Sequence, residues 1–486
     1  MMKKCHKWCG LLFCFFMLMF CLSGIVLNHR TLVAGINISR KWLPESFRFN
    51  NWNNGLLRGT LPYPGKDSVK HILLYGNSGI WKTNTRADTF TDFNKGLPTG
   101  ADFRHIRNIV QTPSGDLFAT GQFGIYRYDT QEWKKVVLPQ EEERLSDITV
   151  RGDTLIVTGR SFLYSASPPY TEFRKLTVKA PREYDGKVSL FRTIWLIHSG
   201  EIFGITGKIL MDTVAVILII LCVTGVLYWI LPKYIKKIRH TGQSTKQSIR
   251  LLKSSFVWHN RTGRMTFILT LFICLTGWSL RPPIMIALVY GRVPAIPKTT
   301  LHSPNAWNDR LRMLRYDNQR QDWLLSTSEG MFVLESLDAV PVKIEKTPPI
   351  SIMGLNVFQK NEKGNWLMGS FSGLFLWDRQ QQLITDYFTG KTIEVSNVSP
   401  FGKKAISGYS DHFEGKECIA EYTKGTGSIP MPKEFISLPM SLWNLCLEIH
   451  TGRIYTILGK GTLVFIFFAG LIAIWCLWSG YLIRKR

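Results

Sequence analysis

Acidic residues are scarce in this chain: 35 Asp and Glu stand against 60 Lys and Arg, a formal net charge of +25 over 486 residues. Between positions 232 and 257 there is no acid at all, while Lys233, Lys236, Lys237, Arg239, Lys246, Arg250 and Lys253 all fall there. Familiar catalytic signatures are missing as well. No Ser-His-Asp, His-Glu-x-x-His, Walker or Cys-x-x-Cys pattern occurs, so a hydrolase has no supporting residues. Cysteine is sparse where it would make a framework. Of nine, Cys5, Cys9, Cys14, Cys21, Cys222, Cys274 and Cys476 sit in or beside apolar runs. Cys418 and Cys446 alone fall in polar stretches; a bond between them stays open, but no disulfide framework is indicated.

Long apolar runs, by contrast, are present four times. Residues 9–28, 209–231, 265–289 and 461–482 each reach the roughly 20 residues that a helix needs to cross a bilayer. The basic clusters flank these runs, at Lys3, Lys4 and Lys7, at 232–257, and at Arg484-Lys485-Arg486. Charge placed this way reads as topology, positive side inside, rather than as a nucleic-acid or lipid-headgroup site. The first run resembles a secretory signal but lacks a clear small-x-small cleavage pattern and is long, so it reads as an uncleaved anchor. Both termini and the 232–257 loop are then cytoplasmic, and the long polar segments lie on the other side.

The chain is one unit written twice. "CHKWCGLLFCFFMLMFCLSG" near the start matches "WHNRTGRMTFILTLFICLTG" in the second half, aligning His6 with His259 and Ser23-Gly24 with Thr276-Gly277 at a constant offset. "LIHSGEIFGITGK" from Leu196 matches "EIHTGRIYTILGK" from Glu448, aligning His198 with His450. Each half reads as inner-edge His, span, exported segment, outer-edge His, span. Both begin on the same side, so this is a parallel repeat with its axis along the membrane normal.

The exported segments repeat internally. Apolar strand, small-residue turn, apolar strand recurs at "LLYGNSGIWKTN", "LFATGQFGIYRYD", "LIVTGRSFLYSAS", "LLSTSEGMFVLES", "LMGSFSGLFLWDR" and "AISGYSDHFEG", with turns at Gly79, Gly124, Phe162, Gly330, Gly373 and Asp411. A period of about 40–45 residues built of short strands marks propeller blades. The predicted fold class is membrane α plus β: four transmembrane helices as two parallel repeats, with a β-propeller-like domain of six blades, three from each half. Two separate three-sheet domains are the competing arrangement, and they would leave sheet edges open. The predicted boundaries are span 1 at 1–28, blades 1–3 at 29–186, an interfacial helix with span 2 at 187–231, and the basic loop at 232–257. Span 3 follows at 258–290, blades 4–6 at 291–440, and a second interfacial helix with span 4 at 441–486.

Of the ten histidines, four occupy matched span edges: His6 and His259 inside, His198 and His450 outside. Ionisable groups at membrane depth are costly and mostly functional. Imidazole is a common axial ligand of haem iron, and bundle sites draw ligands from facing helices. A two-fold axis turns equivalent residues toward each other. The pattern therefore predicts two b-type haems, one on His6 and His259 and one on His198 and His450. The bland reading is capping or hydration at the interface, with Ser199 and Thr451 as N-caps. Lys208 and Asp212 read as an i,i+4 pair, or Asp212 as a proton-handling group.

The phrases His6-Lys7-Trp8-Cys9-Gly10-Leu11 with Ser23-Gly24, His198-Ser199-Gly200-Glu201-Ile202-Phe203 and His450-Thr451-Gly452-Arg453-Ile454-Tyr455 resemble the PepSY-associated transmembrane-helix family. The resemblance covers all four spans but not the exported segments, where blade-like repeats stand in place of a PepSY module. Members of that family include haem-containing inner-membrane ferric-siderophore reductases. The resemblance implies electron transfer to a ferric chelate or siderophore in the periplasm, with haem-ligand roles for His6, His198, His259 and His450. The 232–257 segment shows no dinucleotide signature, so quinol or a separate partner is the expected donor. His29, whose repeat position holds Pro282, is a candidate substrate contact or a solvated interfacial group. A non-catalytic membrane-anchored propeller that binds or senses a ligand is the main alternative. A transporter is third, since the spans are neither broken nor rich in polar residues.

Overall fold

A computed structural model describes residues 1–64, 70–351, 353–394, 402, 404–459 and 461–483. Lys460, of the second Gly-Lys pair, and the basic 484–486 end lie outside the described residues. The chain forms two compact units. The first gathers Met1–Val33, Asp185–Ser303 and Leu442–Arg486; the second gathers Ala34–Tyr184 and Pro304–Ser441.

The first unit is helical. Its helices are α1 Met2–Asn28, α2 Arg30–Val33, α3 Leu190–Ser199, α4 Gly204–His240, α5 Lys246–Met265, α6 Phe267–Ser279, α7 Ile284–Val289, α8 Leu442–His450 and α9 Gly461–Leu482. Among the described residues three helices are long and apolar enough to cross a membrane: Met2–Asn28, Glu201–His240 and Gly461–Leu482. The predicted third run, 265–289, is not one helix. α6 has 13 residues, about 20 Å at 1.5 Å per residue against a hydrocarbon core of about 30 Å. Pro282 and Pro283 follow it and cannot supply the N–H groups that would carry the ladder into α7. Toward its start the ladder does continue, since Thr266 N donates to Thr262 O and Thr270 N to Thr266 O. α6 therefore prolongs α5.

The basic segment 232–257, expected as a loop, is mostly helical, with only residues 241–245 forming the connection. α4 runs through Pro232 to His240 and α5 begins at Lys246. Lys, Arg, Leu and Ile populate it, and most of these are good helix formers whose charge does not oppose helix. α5 packs on α4, α1 packs on α4 and α9, and α6 packs on α9.

The predicted interfacial helices are α3 and α8, and each ends at its histidine phrase. Gly200 terminates α3 with φ +78°, and Gly452 stands just past α8 with φ +74°. Glycine enters this left-handed region without a Cβ penalty, so it ends a helix and redirects the chain. Here it turns each short helix into the span that follows.

The second unit is built of small antiparallel sheets. Five have four strands in chain order, covering residues 59–92, 106–136, 145–176, 311–343 and 355–386. A sixth has two, Ile406–Phe413 and Lys416–Glu421, and a further short pair joins Asn37–Ile38 to Met440–Ser441. Five of the quoted phrases fall on the second and third strands, with hairpins closing at Gly76 and Gly79, Gly121 and Gly124, Thr327 and Gly330, and Ser370 and Gly373. The sixth departs from the prediction. Asp411 lies within a strand, because a bulge between Ser410 and Phe413 lets that strand continue to a turn at Gly415, φ +63°. In each four-stranded sheet the second strand is the most buried; Leu117–Gly121 is buried at every position. The pattern fits strands covered on both faces.

Hydrophobic cores lie between neighbouring sheets. Leu73 and Ile80 meet Ile109 and Leu117; Phe118 and Ile125 meet Ile148 and Leu155; Ile156 and Leu163 meet Leu314 and Trp323. Leu324 and Met331 meet Phe358 and Trp366, and Leu367 and Leu374 meet Ile406 and Tyr409. Ile72 and Leu74 of the first sheet then meet Phe413 and Cys418 of the sixth. Cys418 and Cys446 are each free and buried.

Candidate functional site: four seated histidines

All four predicted histidines belong to the first unit, and each is seated in the same way. His198 Nδ1 lies 3.1 Å from Thr276 Oγ1 on α6. His450 Nδ1 lies 3.2 Å from Ser23 Oγ on α1 and donates to Phe20 O at 2.9 Å. His6 Nδ1 lies 2.9 Å from Ser479 Oγ on α9. His259 Nδ1 lies 3.1 Å from Thr224 Oγ1 on α4 and donates to Leu221 O at 3.0 Å. A carbonyl can only accept, so His450 and His259 each carry a proton on Nδ1; in neutral His450 this leaves a lone pair at Nε2.

Beside each hydroxyl stands a glycine. A Cβ on Gly277 would lie 2.7 Å from His198 Cε1, on Gly24 3.1 Å from His450 Cε1, on Gly480 2.9 Å from His6 Cε1, and on Gly225 3.3 Å from His259 Cε1. Each seat is thus a Ser/Thr-Gly pair on a span: the hydroxyl orients the imidazole and the missing side chain admits it. The seats are exchanged between halves. His6 and His198 of the first half sit on the second half's Ser479-Gly480 and Thr276-Gly277. His259 and His450 sit on the first half's Thr224-Gly225 and Ser23-Gly24. Ser23-Gly24 and Thr276-Gly277 were legible as repeat landmarks. Thr224-Gly225 and Ser479-Gly480 were missed, though each stands close after a cysteine in its span, as the other two do.

The structure brings His198 and His450 together. Their ring centres are 6.0 Å apart with planes at 44°. Two imidazoles bound at about 2 Å to one metal would place their ring centres roughly 6 Å apart. Among the described residues Nε2 of neither ring makes a hydrogen bond. Burial pushes His198 down to about 4 and His450 down to about 3, with the neighbouring His198 and then Arg281 adding to the effect on His450. Both rings are therefore neutral near pH 7, the form that binds metal. Fixing Nδ1 and freeing Nε2 is the arrangement in which an outer partner orients a ligating histidine. Among the described residues no group of three or more His, Cys, Asp or Glu could hold a metal ion. His6 and His259 have matching seats. The two levels stand far apart: His6 and Ser23 share α1, separated by about 26 Å at 1.5 Å per residue.

The remaining candidates are placed differently. Asp212 does not pair with Lys208. His29 Nε2 lies 2.7 Å from Asp212 Oδ2, and Asn28 Nδ2 donates to Oδ1 at 2.8 Å. Lys208 turns instead to Glu201, 3.7 Å away, because Asp212 is already taken by the end of α1. Neither predicted N-cap is found: Ser199 ends α3 and its Oγ accepts from Glu201 N at 3.3 Å while Gly200 precedes the short turn Glu201–Phe203, and Thr451 Oγ1 donates back to Leu447 O at 2.6 Å.

A helical bundle with apolar spans and symmetric, hydroxyl-seated histidines defines a membrane protein with an internal repeat. The chain belongs to the family described as the PepSY-associated TM region, whose profile matches residues 3–486. No curated protein matches the sequence. Among solved structures, the extracellular domains of a one component system and of a hybrid two component system, both BT4673 of B. thetaiotaomicron, are similar at 12% identity and TM-score 0.37. Each comparison covers 79% of this chain and 33% of the other, so the chain spans about a third of their length. YCF48 from Cyanidioschyzon merolae is similar at 12% identity and TM-score 0.33, covering 76% of this chain and 80% of that one. Similarity this distant does not bear on function.

Proposed function

We propose that the protein is a b-type-haem electron-transfer protein of the bacterial inner membrane that reduces ferric siderophores or other ferric chelates on the periplasmic side. The observation that carries this reading is the His198 and His450 pair at 6.0 Å with its Nε2 atoms unengaged. His198 and His450 would hold one haem and His6 and His259 a second. When bound, haem supplies one-electron transfer. The chain's own part is positional: hydroxyls of Ser23, Thr276, Thr224 and Ser479 fix the imidazoles, and the glycines beside them leave room. The ferric chelate is the substrate, and reduction loosens the grip of hard oxygen ligands on iron. Quinol or a separate partner supplies the electrons.

The proposed topology has four spans, with α6 and the end of α5 together making the third, both termini cytoplasmic and two periplasmic segments. Those segments would form one six-bladed propeller. Supporting this, Thr60 Oγ1 of the first sheet lies 2.6 Å from Ser410 Oγ of the sixth, and Tyr409 N donates to Arg58 O at 3.3 Å. A second reading, a non-catalytic membrane-anchored propeller that binds or senses a ligand, is favoured by the cation-lined cavity described below.

The deciding experiment is an absorption spectrum of detergent-purified protein, oxidised and dithionite-reduced, beside His198→Ala and His6→Ala. A b-type spectrum that loses part of its intensity in each variant supports two sites. A colourless wild type, expressed with ample haem supply, removes the redox reading and leaves the binding protein.

A further inference from the structure

The first strands of the six sheets border a cavity of about 190 Å³ within the β unit. Arg58, Arg107 and Arg315 line it, against the single carboxylate Asp147. Arg315 is matched: Nη1 reaches Asp147 Oδ2, Nη2 donates to Oδ1 at 3.3 Å and Nε donates to Phe358 O at 3.0 Å. Asp147 also accepts from Asn108 Nδ2 at 2.9 Å, so its capacity is largely used.

Arg58 is held but not matched. Its backbone N donates to Tyr75 O at 2.8 Å and its Nε donates to Arg107 O at 3.1 Å. Among the described residues its two terminal nitrogens make no hydrogen bond or ion pair. The Gln359 amide, also on the cavity wall, is likewise unengaged among the described residues. A guanidinium fixed at Nε presents its remaining donors as a planar fork, the geometry that fits a carboxylate or phosphate. Arg58 is half-buried and feels the charge of Asp147, but that carboxylate is already bonded to Arg315 and Asn108, so an added oxyanion is the complement of the fork.

We propose that this cavity binds a small oxyanion, a carboxylate or a phosphate, against the Arg58 fork with Gln359 as a neutral donor. The volume lies below the roughly 300–1,000 Å³ of sites for drug-sized ligands. The ligand is therefore a small polyoxygen anion or one anionic arm of a larger molecule. The site needs no haem and stands apart from the redox reading.

The test is calorimetric titration of the full-length protein in detergent with citrate, inorganic phosphate and acetate, for the wild type, Arg58→Gln and Arg58→Lys. The expected result is saturable binding of citrate or phosphate by the wild type, weakened about tenfold or more in Arg58→Gln. Binding weakened by about threefold is expected in Arg58→Lys, which keeps the charge and loses the fork. Preference for citrate over phosphate, or the reverse, identifies the source of the oxyanion. No saturable binding of any probe by the wild type overturns the proposal. So does binding by Arg58→Gln equal to the wild type. If Arg58→Gln does not fold, Arg58→Lys carries the same test, and unchanged affinity there overturns it.

Discussion

A glycine stands against each of the four histidines because an imidazole lies where a side chain would begin. The tightest case is Gly277, where a Cβ would come within 2.7 Å of His198 Cε1, closer than two carbons approach. Gly277→Val is therefore expected to expel the His198 ring and, if the proposed haem is bound there, to lower its intensity in the reduced spectrum. Gly10→Val, which meets nothing within 4 Å, leaves it unchanged. The pair His29 and Asp212 breaks the two-fold symmetry, since Pro282 and Val464 stand at the matching places. The 2.7 Å contact predicts a coupling of about 0.5–3 kcal/mol in a double-mutant cycle of His29→Ala and Asp212→Ala on unfolding stability. Additive single effects would show that the two groups do not share an interaction. Neither partner was legible as such: the sequence offers Lys208 four residues from Asp212, and only the approach of α1 to α4 brings His29 closer.

Among the elements, the short helices α3 and α8 show why the His-[Ser/Thr]-Gly phrase is written twice. The histidine lies at or one residue from the helix end, and the glycine takes the left-handed conformation that ends it. Gly200→Ala is expected to destabilise the protein by at least about 1 kcal/mol from backbone strain alone. Its Cβ would also meet Gly207 O at 2.1 Å, so thermal unfolding in detergent should show a larger loss than Gly242→Ala, where nothing is near. In the β unit, Asp317 ends the strand Leu311–Asp317. Burial pushes its carboxyl up, but hydrogen bonds from Lys360, Arg379 and Trp366 outweigh this and hold it at about 2 against an ordinary 3.8. A depressed carboxylate contributes stability above its unfolded pKa and loses it as pH falls toward the folded value. The thermal midpoint of the β unit should therefore fall between about pH 4 and pH 2. Asp317→Asn should be less stable at neutral pH and lack that share of the acid response. The helices on either side of the turn at 241–245 were not legible within 232–257, because a run of basic residues reads as a loop when its charge is weighed before its helix propensity.

At the scale of the whole chain, the β unit joins distant parts of the sequence. Arg315 of the fourth sheet grips Asp147 of the third, so residues from both polar segments share one buried ion pair. Removing one partner of such a pair strands the other, typically at a cost of about 3–5 kcal/mol. Arg315→Met should lower stability by that order in denaturant or thermal unfolding, and Asp147→Leu added to it should recover part of the loss. A double variant no more stable than Arg315→Met would mean that the stranded charge is not the source of the cost.

The apolar runs, the positive flanks, the two-fold repeat and five of the six hairpin phrases follow from the order of residues alone. Periodicity and spacing are local properties, and the hydrophobic and turn-forming preferences behind them act over a few residues. The exchange of histidines between halves, the Ser/Thr-Gly seats on α4 and α9, the His29 and Asp212 contact and the unmatched Arg58 are different in kind. Each depends on which residues far apart in the chain come within about 3 Å. That proximity is set by how helices and sheets pack, and no local preference encodes it.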